Sequence, residues 1–213
     1  MTTQTLNRPQ DNLKAARESF SGRLLTGAQF DEAIAITKIV EREIHKSGTF
    51  KDKLGDYAFA FARSEKFDAM KAETIVRDLF KERTGQSMNQ LREKLADTEK
   101  NLTDEQKQSA YDFACRVGDM IENEKKMSFA RAYAHQADDL AGTLGITDAA
   151  AKTLMKEQFK AVENTELYDW GKQLEERFYR PQIEAETRER EAGQARTQTQ
   201  TRGSRTRTGP SGP

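Results

Sequence analysis

Apolar residues along most of this chain recur at intervals of three and four, which is the spacing of one face of an α-helix. One such series is Phe30, Ile34, Thr37, Val40 and Ile44, and a second is Phe67, Met70, Ile75 and Leu79. No window alternates with a period of two for long enough to indicate a β-strand. The pattern predicts an all-α fold with helices near 27–46, 52–63, 66–84, 87–99, 104–126, 128–143, 148–162 and 165–191.

Residues at the ends of these segments have the chemistry of helix caps. A hydroxyl followed three residues later by glutamine forms a capping box, and a glycine after the last apolar residue closes a helix in the left-handed conformation. The predicted start signals are Ser87-x-x-Gln90, Thr103-x-x-Gln106 and Thr147-Asp148, and the predicted stop signals are Gly85 and Gly145. Residues 10–180 contain no proline, so the commonest helix breaker is missing from this part of the chain.

The chain also resembles itself at a distance of about 80 residues. Residues 72–81, AETIVRDLFK, align with residues 151–160, AKTLMKEQFK, at a shift of 79. Residues 30–47 align with residues 111–128 at a shift of 81, and a pairing of Tyr57-Ala58 with Tyr133-Ala134 requires a shift of 76. Matches in the same order over several helices indicate a repeat. The alternative is that amphipathic helices rich in alanine, glutamate and lysine resemble one another by composition alone.

The alignment predicts a tandem duplication of a four-helix unit, with unit one at 27–99 and unit two at 104–180. It places Phe80 and Phe159 in corresponding buried positions. Residues 1–26 begin with polar residues and are predicted to be a flexible N-terminal arm. Residues 181–192 are predicted to be a charged helical extension, and residues 193–213, which are rich in Gly, Thr, Gln and Arg, a disordered tail.

Candidate catalytic chemistry is sparse. The sequence lacks a phosphate-binding loop, a dinucleotide-binding glycine motif and a serine nucleophile elbow. His45 and His135 lack neighbours at metal-ligand spacing, and Cys115 and Trp170 fall at repeat positions held by aliphatic residues, which favours packing. We therefore expect no catalytic, cofactor-binding or metal-binding residue and no enzymatic activity.

Composition restricts the choice of partners and compartment. The 35 basic residues equal the 35 acidic residues, so no overall field attracts the whole chain to nucleic acid or a membrane. No apolar run approaches 18 residues, which predicts that the protein does not insert into a membrane. The single cysteine cannot form an intramolecular disulfide. A cytoplasmic protein is the resulting expectation.

Longer phrases of the sequence carry a family resemblance. YAFAFARSEKFDAMKAETIVRDLFKERTG, followed by MNQLREKL, and later MSFARAYAHQADDLAG and ELYDWGKQLEERFYRPQIEAE, resemble the C-terminal region of TraA, the Ti-type conjugative relaxase of agrobacterial and rhizobial plasmids. The resemblance covers about residues 27–190. Relaxase and helicase motifs of that family are missing here, so no catalytic residue is carried over. The resemblance implies a non-catalytic accessory or interaction module of conjugal transfer.

The arginines of the predicted tail complete this interpretation. Arg196, Arg202, Arg205 and Arg207 occur after residue 192 without any acidic residue. Substrates of the type IV secretion channels that serve conjugation have similar tails, so these arginines are predicted to form a secretion or partner signal read by the coupling protein. One alternative is a nucleic-acid-binding accessory protein in which the tail neutralises phosphates. Another is a solubilising tail without a partner.

Overall fold

The computed structural model describes residues 12–124 and 126–203, with side chains as far as residue 192. Within these ranges the fold is all-α, as the periodicity predicts, and no described residue lies in a β-strand. The helices are α1 (Leu13–Glu18), α2 (Phe20–Arg23), α3 (Gly27–Ser47), α4 (Lys51–Glu65), α5 (Ala69–Thr84), α6 (Met88–Lys100), α7 (Asp104–Asn123), α8 (Phe129–Leu144), α9 (Asp148–Glu163), α10 (Leu167–Leu174) and α11 (Arg180–Gly203), with a π-helical turn at Glu175–Tyr179 before α11.

The predicted caps are formed. Ser87 and Thr103 each accept a hydrogen bond from the backbone N–H three residues later. The side-chain oxygen of the glutamine at that position accepts a bond from the backbone N–H of the cap residue. Gly85 ends α5 and Gly145 ends α8, both with positive φ, and Thr147 is the N-cap of α9. These bonds satisfy backbone groups that a helix end otherwise leaves unpaired. Local chemistry therefore fixes most of the helix boundaries.

The described residues bury two separate hydrophobic cores. The first core contains residues between 16 and 95, and the second contains residues between 110 and 167. In the first, α3 contacts α4, α5 and α6; in the second, α7 contacts α8, α9 and α10. The two groups touch each other through α3 and α9. In both sets of four helices, the first helix, α3 or α7, therefore contacts the three that follow it.

Left-handed residues recur at the same places in both groups. Gly48, Lys66 and Gly85 have positive φ in the first group, and Lys126, Gly145 and Asn164 have positive φ in the second. The second set follows the first by 78, 79 and 79 residues. Phe80 and Phe159, at 0% and 2% exposure, occupy corresponding buried positions, as predicted. These correspondences support the predicted repeat, while the duplication of one unit stays a prediction.

One pairing in the predicted repeat is wrong. Ala58 is buried, whereas Ala134, its partner at a shift of 76, is exposed. A shift of 79 instead matches Ala58 with the buried Ala137 and Phe61 with the buried Leu140. The two shifts differ by three residues, which is close to one helical turn of 3.6 residues. For that reason the apolar pattern of the sequence fits both shifts, and only burial separates them.

The prediction of a flexible arm at 1–26 is wrong for residues 12–26. Helices α1 and α2 pack on α5, and Ala16 and Leu25 belong to the first core. The Asn12 N–H donates to the Arg83 carbonyl at 3.1 Å, and the Ser21 hydroxyl donates to Asp78 at 2.8 Å. Gly22 allows this compact turn because a Cβ there would lie 2.1 Å from the Ala16 carbonyl oxygen. Residues 1–11 lie outside the described residues.

Candidate functional site

The segment after unit two leaves the body of the protein through an irregular helix. At the π-helical turn the Arg180 N–H bonds to the Glu175 carbonyl, five residues back, where an α-helix would use the carbonyl four residues back. Pro181 follows immediately and has no N–H to continue the ladder. The wider turn therefore lies where proline removes a helical hydrogen bond. Helix α11 then runs through 180–203.

The start of α11 is attached to unit two at Lys126. The Lys126 backbone N–H donates to Gln182 Oε1 at 2.9 Å, and the Lys126 Nζ lies 2.5 Å from Glu186 Oε1. The hydrogen bond from the Lys126 ammonium, and then its positive charge, hold the pKa of the Glu186 carboxyl below its usual range. Leu174 and Phe178, just before α11, are half-buried against the second core. The attachment ends near Glu186, because residues 187–192 are exposed.

The four arginines predicted to form a signal fall beyond this attachment. Arg196 and Arg202 lie in the part of α11 for which only the backbone is described, and Arg205 and Arg207 lie outside the described residues. The backbone of 193–203 continues α11, so helix occupies part of the segment predicted to be a disordered tail. At 1.5 Å per residue, the 17 residues after Glu186 extend α11 by about 25 Å.

A polar cluster lies on the surface between α7 and α9. The Tyr111 hydroxyl donates to a Glu163 carboxylate oxygen, and Cys115 interacts with the same hydroxyl. The hydrogen bond to Glu163 raises the pKa of the Tyr111 hydroxyl, and the hydrogen bond to Cys115 raises it further. Partial burial, helped by the surrounding carboxylates, raises the pKa of the Cys115 thiol although the Tyr111 bond opposes the change. A thiol kept protonated is a poor nucleophile.

Aromatic rings continue from this cluster into the second core. The Tyr111 and Phe159 ring centroids are 6.2 Å apart, and those of Phe159 and Trp170 are 4.8 Å apart. Gly118 makes room for Trp170, since a Cβ there would lie 2.5 Å from the indole ring. Trp170 and Cys115 are thus partly buried and pack against the core, as predicted from the repeat.

The remaining candidates do not assemble into a reactive site. His135 Nδ1 lies 3.1 Å from Asp139 on the exposed side of α8. Among the described residues no three histidine, cysteine, aspartate or glutamate side chains are grouped closely enough to hold a metal ion. An open depression of about 640 Å³ beside α6 and the start of α7 is polar, and its lining residues are Gln90, Glu93, Lys94, Asp97, Thr98, Asn101 and Gln106.

Sequence reasoning missed the contacts that join distant parts of the chain here. Tyr111 and Glu163 are 52 residues apart, and Lys126 and Gln182 are 56 residues apart. Neither pair has a spacing that a helix or a motif would produce, so no local signal marks it.

Comparison with family models, curated proteins and solved structures gives no match in any of the three. The resemblance to the C-terminal region of TraA therefore stays a prediction. Among the helices of the described residues, none is both long enough and apolar enough to cross a membrane.

Proposed function

We propose that this protein is a non-catalytic interaction module of conjugal transfer, with a role like that of the C-terminal region of TraA. Its helical body binds proteins of the transfer machinery, and its arginine-rich segment is read by the coupling protein or the secretion channel. The protein acts in the cytoplasm and is itself a candidate for translocation. The observation that supports the proposal is that α11 extends beyond its attachment at Lys126 and that residues 187–192 of this helix are exposed.

Two properties of α11 support this role. The pair Arg188–Glu184 lies within α11, and the pair Arg180–Glu176 joins its first residue to the π-helical turn. Both pairs are four residues apart, a spacing that stabilises a solvated helix. Beyond Glu186 no described side chain of this helix is buried. Such a helix contributes little to the core and works as a semi-rigid spacer. Arginine forks on a spacer can pair with carboxylates of an acidic receptor surface without displacing the body.

The test is a translocation reporter fused ahead of this chain in a donor cell with an active type IV channel. Replacing Arg202, Arg205 and Arg207 together with alanine should abolish transfer to recipients while leaving the helical signal and thermal midpoint unchanged. A matched variant replaces three exposed arginines of the body, Arg42, Arg63 and Arg131, and should transfer normally. Equal transfer by both variants would leave a solubilising tail as the better explanation.

The competing function is a nucleic-acid-binding accessory protein. Residues 104–180 carry 15 acidic and 11 basic residues, so unit two has no excess of positive charge to position on phosphates. Binding of DNA and RNA, measured across a salt titration on the full chain and on a chain lacking residues 193–213, separates the two functions. A steep salt dependence that is lost with the tail would favour nucleic acid.

A further inference from the structure

The two helical units differ in how well they cover one face. At shifts of 81 on the first helix and 79 on the third, five positions that are buried in unit one are more exposed in unit two. The buried residues are Phe30, Ile34, Leu79, Arg83 and Thr84, and their counterparts are Tyr111, Cys115, Gln158, Val162 and Glu163. One such contrast is between Arg83, at 3% exposure, and Val162, at 50%.

In unit one this face is covered by the helices α1 and α2. The Arg17 guanidinium lies over the Phe30 ring, 4.9 Å from its centroid, and the Arg83 carbonyl accepts from the Asn12 N–H. Ala16, from the middle of α1, is completely buried. These contacts cover part of the face of unit one, and the Arg83 guanidinium is enclosed further by its bonds to Thr37 and Glu41 of α3.

Within the described part of the chain, no equivalent segment precedes the first helix of unit two. Only residues 101–103 separate α6 from α7, which is too short for a helical pair such as α1 and α2. Tyr111 and Cys115 are half-buried, and Val162, which precedes the Tyr111 partner Glu163 in α9, is exposed. Unit two therefore exposes a face whose counterpart in unit one is covered by α1 and α2.

We propose that this face binds a short basic amphipathic helix of a partner protein. It is here called the acceptor face and is formed by Tyr111, Cys115, Gln158, Val162 and Glu163. The proposal gives a partner class to the interaction module proposed above and rests on that function. It depends on the matching of helices between the units and not on their common origin.

Charge favours a basic helix as the occupant. Carboxylates of Glu163, Asp112 and Asp119 lie close enough to Cys115 to act on it electrostatically. At the positions of Asp119 and Glu163, unit one has Lys38 and Thr84, so the acceptor face is the more acidic of the two. An arginine placed over Tyr111, as Arg17 lies over Phe30, would meet both an aromatic ring and the Glu163 carboxylate.

The chain supplies a probe for this face. A fluorescein-labelled peptide of residues 12–26, NLKAARESFSGRLLT, has the helix that covers unit one and carries more basic than acidic residues. Fluorescence anisotropy of the peptide titrated with the full chain should show saturable binding. Val162→Asp should weaken binding by about tenfold or more, because it puts an unpaired charge under the docked helix. Phe59→Asp, at another exposed apolar position, should bind the peptide as wild type does.

Cys115 provides an independent readout because it is the single cysteine of the chain. Saturating peptide should slow alkylation of Cys115 in wild type and not in Val162→Asp. A peptide with residues 12–26 in scrambled order, which has the same net charge, should neither bind nor protect, and this excludes attraction by charge alone. Circular dichroism of each variant confirms that it is folded, and since Val162 is exposed the substitution should not disturb the core.

Three results would overturn the proposal. Binding that does not saturate, or that is the same for wild type and Val162→Asp, would remove the acceptor face. A wild-type dimer that Val162→Asp converts to a monomer in sedimentation experiments would assign the face to a second copy of the chain. None of these measurements uses transfer to recipients, so the acceptor face and the transfer role can fail separately.

Discussion

The Glu99 carboxylate links the two helical units through hydrogen bonds from Thr147. Its Oε1 atom accepts from the Thr147 backbone N–H at 2.9 Å and from the Thr147 hydroxyl at 2.6 Å. Glu99 lies near the end of α6, and Thr147 is the N-cap of α9. One side chain of unit one therefore satisfies a buried backbone donor at the start of a helix of unit two.

Removal of this carboxylate should loosen the contact between the units. Glu99→Ala leaves the Thr147 N–H without its acceptor, which should lower the free energy of unfolding by about 1–2 kcal/mol. The exposed Glu93→Ala, in the same helix, is the matched control and should stay within about 0.5 kcal/mol of wild type. Urea denaturation followed by circular dichroism measures both. Identical midpoints for the two variants would show that the bond does not contribute to stability.

The matched phenylalanines of the two cores should respond alike to truncation. Phe80→Ala and Phe159→Ala should each cost about 3–5 kcal/mol, because each removes a buried ring and leaves a cavity. Phe59→Ala, at 61% exposure, should cost far less. Thermal and urea denaturation check the three variants. A wild-type midpoint for either buried position would contradict its place in the core.

The packing of α1 on unit one makes a testable contrast within a single helix. Ala16→Asp places a carboxylate in a completely buried position, and we expect a loss of at least about 2 kcal/mol because the charge has no partner there. Lys14→Asp introduces the same side chain at an exposed position of α1 and should be nearly neutral. A flexible arm at residues 12–26 would instead make both variants neutral.

The ion pair between Lys126 and Glu186 predicts a dependence of α11 on pH. Because the pKa of Glu186 is lowered in the folded protein, its stabilisation is complete above the ordinary carboxyl pKa of about 4.5 and is lost as the pH falls through the lower folded value. Amide hydrogen exchange near Gln182, corrected for intrinsic rates, should show protection at pH 7 that declines at pH 3.

Glu186→Gln isolates this effect from the titration of other carboxylates. The variant should show weaker protection at pH 7 and a smaller change between the two pH values. Glu184→Gln, which alters the neighbouring pair with Arg188, is the control and should retain the wild-type response near Gln182. Equal pH responses in all three proteins would remove the ion pair as the cause.

Much of the helical architecture was determined by the sequence alone. The spacing of apolar residues placed α3 to α9, and Ser87, Thr103, Gly85 and Gly145 marked helix ends. The single helix predicted at 165–191 is divided in the structure into α10, the π-helical turn and the start of α11. Helical periodicity and capping depend on residues within about four positions of one another, so both are visible in a linear reading. The burial of Phe80 and Phe159 was predicted from the alignment of the two units, which also needs only the sequence.

The tertiary structure decided where the chain meets itself over longer distances. Helices α1 and α2 give a weak periodic signal because the residues they bury are mostly small, such as Ala16 and Gly22. The contacts of Tyr111 with Glu163 and of Lys126 with Gln182 join residues more than 50 positions apart. The acceptor face is visible only because burial can be compared between two packed units. Sequence periodicity specifies which side of a helix is apolar, whereas packing decides which apolar side remains uncovered.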